Sequence, residues 1–345
     1  MKFSLRLITA LTITLLVVGS AAAQQAVPVP YRLNGIEHIY QDWNNCGPAT
    51  LTMGLTYFGY EADQYPAAQW LKPNPEDKNV SPWQLAEYVN NHLPGTTRAM
   101  VRQGGTLDRI RELVSNDFPV MIEAGYEPPG ENLGWMGHYL LVIGYDDAIS
   151  TVYTHDSYDG PNYAYTYEHI DHYWRQFNRL YIVLYDITRE AEVMALLGDD
   201  ADEITNWNNA LEVARAEAIA NNEDPFAWFN MGTNFAGLDL FVEASVAYDQ
   251  SRNVGDGLPW RMNWYQFGMF EAYVEVGRFD DVIALSRRNL DDGGGQYVEE
   301  TFYYGGLARL GLGETDRAIS NFNGAVTFNP NFTPARVALE GLGAS

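Results

Sequence analysis

A spaced repetition of small and aromatic residues in the second half of the chain restricts the fold more than any other feature. Trp228, Gly232, Ala244 and Tyr248 return in kind as Tyr273, Gly277 and Phe279, and again as Gly306, Gly313, Ala318, Phe322, Ala325 and Pro330. The copies lie about 34–38 residues apart, a period that belongs to stacked helical hairpins. Small residues at these offsets let paired helices approach closely, and the aromatics fill the space between units. A degenerate unit precedes them, with Ala210 and Ala214 on its second helix, and Thr333–Leu342 is predicted as a short capping helix. Residues 191–345 therefore read as an all-α array.

The offsets resemble those of the tetratricopeptide helix pair, most clearly in GLGETDRAISNFNGAVTFNP. That resemblance implies a concave surface able to take a peptide or protein partner.

Residues 24–190 follow a different pattern. Asn45 is predicted to cap a helix from Cys46 to about Phe58, with Leu51, Leu55 and Phe58 on one face and Gly59 at its end. Ser81-Pro82 opens a helix through about Asn91. Thr106 caps a third, whose buried stripe is Leu107, Ile110, Leu113 and Val114. Strands are predicted at Pro119–Glu123, Tyr139–Tyr145, Thr151–His155 and Leu180–Tyr185. Helices first and strands second predict an α+β domain with the helices on one side of an antiparallel sheet.

Residues 1–23 read as a signal peptide: Lys2 and Arg6, then the apolar stretch Leu7–Val18, then Ala21-Ala22-Ala23. The expected location is secreted or extracytoplasmic, with no stable membrane span after signal removal. The formal net charge of −24 argues against nucleic acid as a partner, because phosphates would be repelled.

An exported chain with a single cysteine is unusual, since a lone thiol forms no internal disulfide and is open to oxidation. Cys46 thus needs burial or a task. At a helix N-terminus a thiol feels the positive end of the helix dipole and loses its proton more readily. Gly47 lets backbone pass close to a substrate, and Pro48 is tolerated in the first turn.

A thiolate needs an imidazole as ion-pair partner and proton donor. Of six histidines, His138 stands at the start of the apolar run YLLVIGY, where a side chain can reach a cleft from an anchored strand. Asp156 ends the next predicted strand and is placed to orient that imidazole. Gln41, five residues before Cys46, can offer its amide to an oxyanion beside the Cys46 N–H. A metal is the remaining option, but the His169–Asp171–His172 cluster has weak ligand spacing.

Taken together, QDWNNCGPATL, GHYLLVIGYDD and HDSYDG resemble cysteine peptidase family thirty-nine, in its stand-alone exported branch, over about residues 30–186. The resemblance implies a papain-like fold, with Cys46 as nucleophile, His138 as base, Asp156 as orienter and Gln41 as oxyanion donor. No cofactor is implied. Two departures stand out. The family's bacteriocin processors are fused to membrane transporters, and no transporter is read here, so leader cleavage is not carried over. Ser157 also follows the aspartate where proline is common in the family.

The reading is an exported cysteine peptidase-like hydrolase acting on a peptide or amide bond, followed by helical repeats. Two alternatives stay open: an inactive peptide- or protein-binding module, and a transglutaminase- or amidase-type acyl transferase using the same residues.

Overall fold

The computed structural model describes residues 30–128, 130, 133–292 and 294–344. The expected leader, residues 1–23, lies outside them. The first half runs β1 (Tyr31–Arg32), α1 (Cys46–Thr56), α2 (Tyr65–Leu71), α3 (Pro82–Glu87), β2 (Thr97–Arg102), α4 (Leu107–Ser115), β3 (Val120–Tyr126), β4 (Met136–Asp146), β5 (Thr151–Asp156), β6 (Gly160–Thr166), α5 (Tyr167–Trp174) and β7 (Tyr181–Asp186). The sheet order is β2-β7-β3-β4-β5-β6, with β1 paired to β4. All of these pairings are antiparallel.

The sheet is covered on both faces, which corrects the expectation of helices on one side. Met121, Leu141, Ile143, Ile182 and Leu184 pack with Leu51 and Leu55 of α1. Their neighbours along the strands, Val120, Ile122, Leu140, Val142 and Val183, pack with Ile110, Leu113 and Val114 of α4. The physical reason stands in β4 itself. Its run Leu140-Leu141-Val142-Ile143 is apolar at every position, so both of its faces must be sheltered from water. The arrangement remains α+β and fits a papain-like domain.

The rest is helical: α6 (Glu190–Leu197), α7 (Glu203–Ala220), α8 (Pro225–Gly237), α9 (Phe241–Asn253), α10 (Gly268–Glu275), α11 (Phe279–Asp291), α12 (Glu299–Gly311), α13 (Thr315–Phe328) and α14 (Thr333–Gly341). Three hairpins, α8/α9, α10/α11 and α12/α13, share one turn geometry. Asp239, Gly277 and Gly313 occupy its left-handed slot with φ of 58°, 77° and 77°. The small residues sit where helices touch. A Cβ on Gly232 would fall 2.7 Å from the Tyr248 ring, and one on Gly306 2.5 Å from Phe322.

The helices are docked against the sheet half along a buried polar seam. Glu300 Oε1 accepts from Ser81 Oγ at 2.7 Å and from Asn79 Nδ2 at 3.0 Å. Glu299 Oε1 accepts from Gln84 Nε2 at 3.0 Å and from Asn329 Nδ2 at 2.7 Å. Asn178 and Asn234 exchange amide hydrogen bonds, and Asn206 makes two bonds to the Gln103 backbone. Each partner shelters a polar group that would be costly to bury alone. Part of the array's surface is thus occupied by the first half of its own chain.

Candidate active site

Helix α1 begins at Cys46, as the sequence predicts, so the thiol sits at the positive end of its dipole. Asn45 holds the N-cap position but its side chain does not cap. It donates instead to Gln64 Oε1 at 2.5 Å. Gln64 is the organiser of this loop: its Oε1 also accepts the Asp42 N–H at 3.0 Å, and its Nε2 donates to the Tyr40 carbonyl at 2.8 Å. Thr50 Oγ1 fastens α1 to the Tyr139 carbonyl of β4 at 3.1 Å. Gly47 permits the approach, since a Cβ there would stand 3.3 Å from Val80 and 3.5 Å from the Tyr139 ring. Cys46 is thereby set beside the start of β4 while remaining only half-buried.

His138 is buried on β4. Asp156 ends β5 directly opposite Leu140, so His138 is its diagonal neighbour on the same face. The Nε2 of His138 lies 2.8 Å from Asp156 Oδ1. That leaves Nδ1 as the imidazole nitrogen free to serve Cys46. Asp156 is fully buried but amply supplied with donors. Its Oδ1 also accepts the N–H groups of Tyr158 at 2.8 Å and Asp159 at 3.1 Å, and its Oδ2 accepts the Tyr165 hydroxyl at 2.6 Å. His38 Nε2 bonds the Asp156 carbonyl at 2.7 Å.

Gln41 is tied twice to the residue after that aspartate. Its N–H donates to the Ser157 carbonyl at 2.8 Å, and its Oε1 accepts from Ser157 Oγ at 2.9 Å. With the oxygen held, the Nε2 end of the amide is left as the donor. Gln41, Cys46 and His138 line one cleft of about 440 Å³, and Asp156 lies behind His138.

The electrostatics follow from this packing. Burial pushes the Cys46 thiol up, but the hydrogen bond and charge of His138, with the backbone of Tyr139 and Gly47, outweigh it and bring the thiol below its ordinary value. Burial opposes a charged His138, yet the Asp156 carboxylate, followed by Cys46, raises it to about 10. Burial likewise opposes the Asp156 charge, and His138 and its hydrogen-bond donors hold the carboxyl well below the usual carboxylate range. The arrangement favours a thiolate–imidazolium pair backed by a carboxylate.

The four residues singled out from the sequence come together; of the other histidines, His38 touches them through the Asp156 carbonyl and the rest lie apart. His155 accepts the Asn162 N–H at 3.2 Å, and His92, His169 and His172 pack against aromatic rings. Among the described residues no group of three or more His, Cys, Asp or Glu side chains is placed to hold a metal ion. Asp147, in the turn between β4 and β5, is bound by Arg111 and by the Tyr167 hydroxyl. Gln64 and Tyr165 carry no sequence signal for their supporting places, because each depends on a partner distant along the chain or on the fold of a turn. A third contribution is also absent from the sequence reading: Arg261, Trp264 and Tyr265 of the helical half line the same cleft.

The chain has no match among curated proteins. Residues 25–182 match the model of the Peptidase_C39 like family. That match spans the sheet half of the chain, whose antiparallel sheet and flanking helices fit a papain-like domain.

Proposed function

We propose that the protein is an exported cysteine hydrolase that cleaves a peptide or amide bond. Residues 1–23 are the leader, 24–190 the catalytic domain and 191–345 a tetratricopeptide-like array. The single observation that carries this reading is the alignment of the lowered Cys46 thiol with His138 and Asp156 in an open cleft. The Cys46 thiolate attacks the carbonyl carbon, and the Gln41 amide and the Cys46 N–H take up the oxyanion. His138 protonates the leaving amine as the acyl-thioester forms. Water, deprotonated by His138, then releases the acid and restores the thiol. Asp156 keeps the imidazole oriented throughout and stabilises it each time it carries the proton. An amine in place of water would give acyl transfer by the same residues. The supporting chemistry resides in the chain's own side chains, and no cofactor enters any step.

The test is substrate profiling with a diverse peptide library, wild type against Cys46→Ala. Cleavage products confined to the wild type are expected. Identical product patterns from the two proteins would end the hydrolase reading.

A further inference from the structure

We infer that the connection between α9 and α10, Val254–Phe267, completes the cleft as a specificity strap and makes it a subsite for a large apolar or aromatic side chain of the substrate. This inference rests on the hydrolase reading only for the word substrate; the subsite itself is a matter of binding.

The strap reaches the site from the helical half. Its short helical turn Trp260–Trp264 buries Met262 and Trp264, and Tyr265 follows. The Tyr265 ring lies on Gly137, the residue before His138, so closely that a Cβ there would come within 2.9 Å of it. Tyr265 also meets Trp135 edge-on, with ring centres 6.0 Å apart. Arg261 Nη1 donates to the Leu133 carbonyl and, at 3.4 Å, to that of Trp135. The strap therefore grips residues 133–137 on the approach to His138 and presents Trp264 and Tyr265 to the cleft.

The class of side chain follows from which wall groups are already engaged. Besides the Cys46–His138 pair, four charged residues line the cleft: Asp42, Lys78, Arg261 and Asp292. Arg261 is held by the two carbonyls. Asp292 accepts from the Trp260 indole and from the Gly294 N–H at 3.4 Å. Lys78 stands 4.8 Å over the Trp43 ring, beside Glu76 and Asp77. Asp42 bonds the Tyr65 hydroxyl. With each of these groups engaged by a neighbour, the apolar and aromatic wall left for a ligand includes Tyr126, Leu133, Met136, Trp264 and Tyr265. A cleft walled in this way gains by covering apolar surface and would leave a charged side chain poorly solvated.

The test reads binding separately from chemistry. Acetylated tripeptide amides that differ at one position, Phe, Leu, Gly, Lys or Asp, are titrated calorimetrically into full-length Cys46→Ala. The Phe and Leu peptides are expected to bind about tenfold or more tightly than the Gly, Lys and Asp peptides, the discrimination a hydrophobic pocket gives. Adding Trp264→Leu should shrink that preference at least about fivefold on the same scale. Because Trp264 is buried, Trp264→Phe serves as the milder variant, and a thermal melt verifies that each protein is folded. Equal affinities, a preference for Gly, Lys or Asp, or no binding would overturn the subsite. An undiminished preference in a folded Trp264 variant would overturn the strap's part in it. Failure of the hydrolase reading shows elsewhere, as identical cleavage by wild type and Cys46→Ala.

Discussion

Ser157 and Gln41 are bound to each other by two hydrogen bonds, one through the backbone and one through the side chains, at 2.8 and 2.9 Å. Serine at this position departs from the proline common in family thirty-nine, and its hydroxyl does something a proline has no group for: it holds the oxygen of the Gln41 amide. Under the proposed mechanism, Gln41→Ala should lower kcat by about 10²–10³ with little change in KM, as loss of an oxyanion donor does. Ser157→Ala should give a smaller loss in the same parameter. A change confined to KM in both variants would rule out the oxyanion role.

The Cys46 thiolate should persist below the pH at which an ordinary thiol is half-ionised, about 8.5. The rate of iodoacetamide alkylation against pH measures this. In His138→Ala the burial that raises the thiol remains while its main opponent is gone, so the midpoint should move up. Hydrolysis by the wild type should decline again as His138 loses its proton near pH 10. Matching alkylation profiles in the two proteins would refute the ion pair.

Asp156→Asn removes the charge that raises His138. The alkaline limb of the pH–rate profile should then shift to lower pH, and kcat should fall by about 10²–10⁴, the usual range for a lost acid–base function. An alkaline limb left in place would mean that some other group sets the His138 charge.

Much of this site was legible in the sequence, for definite reasons. A lone cysteine in a chain read as exported is conspicuous, and the apolar run after His138 announces a core strand that ends at the cleft. Asp156 could be paired with His138 because consecutive antiparallel strands bring their ends together. What escaped depended on distance or faintness. Strands β2 and β6 lie at the two edges of the sheet, where Arg98, Arg102, Asn162 and Tyr163 dilute the apolar alternation. Gln64 looks like any surface glutamine until the loop of residues 40–45 folds around it. Tyr265 stands more than a hundred residues from His138, and no local pattern connects the two.

The polar seam should make the protein less stable in alkali. Burial, with Glu299 beside it, raises Glu300 to about 8, against about 4.3 in an unfolded chain. The folded state therefore binds the proton more tightly, so this contribution is fully present below about pH 4.3 and lost as pH rises through 8. Urea midpoints at pH 6 and pH 9 should differ more in the wild type than in Glu300→Gln, which is neutral at both. An equal difference in the two proteins would exclude Glu300 as the source.

The same substitution should have opposite signs at two glycines. Gly306→Ala places a methyl 2.5 Å from the fully buried Phe322 ring and should cost about 1–3 kcal/mol. Gly341→Ala, with nothing within 4 Å, should stabilise α14 by up to about 1 kcal/mol through helix propensity. Urea denaturation of the two variants checks both; a stabilised Gly306→Ala would mean that α12 and α13 are free to move apart.

Half-buried Cys46 has a further consequence that concerns durability more than turnover. The chain contains no second cysteine. A thiolate oxidised to the sulfenic acid is usually rescued by a neighbouring thiol that condenses with it, and this protein carries none. Recovery has to come from a small thiol or a reductase delivered through the open side of the cleft. The walls that select a substrate therefore also govern how fast a damaged molecule returns to service.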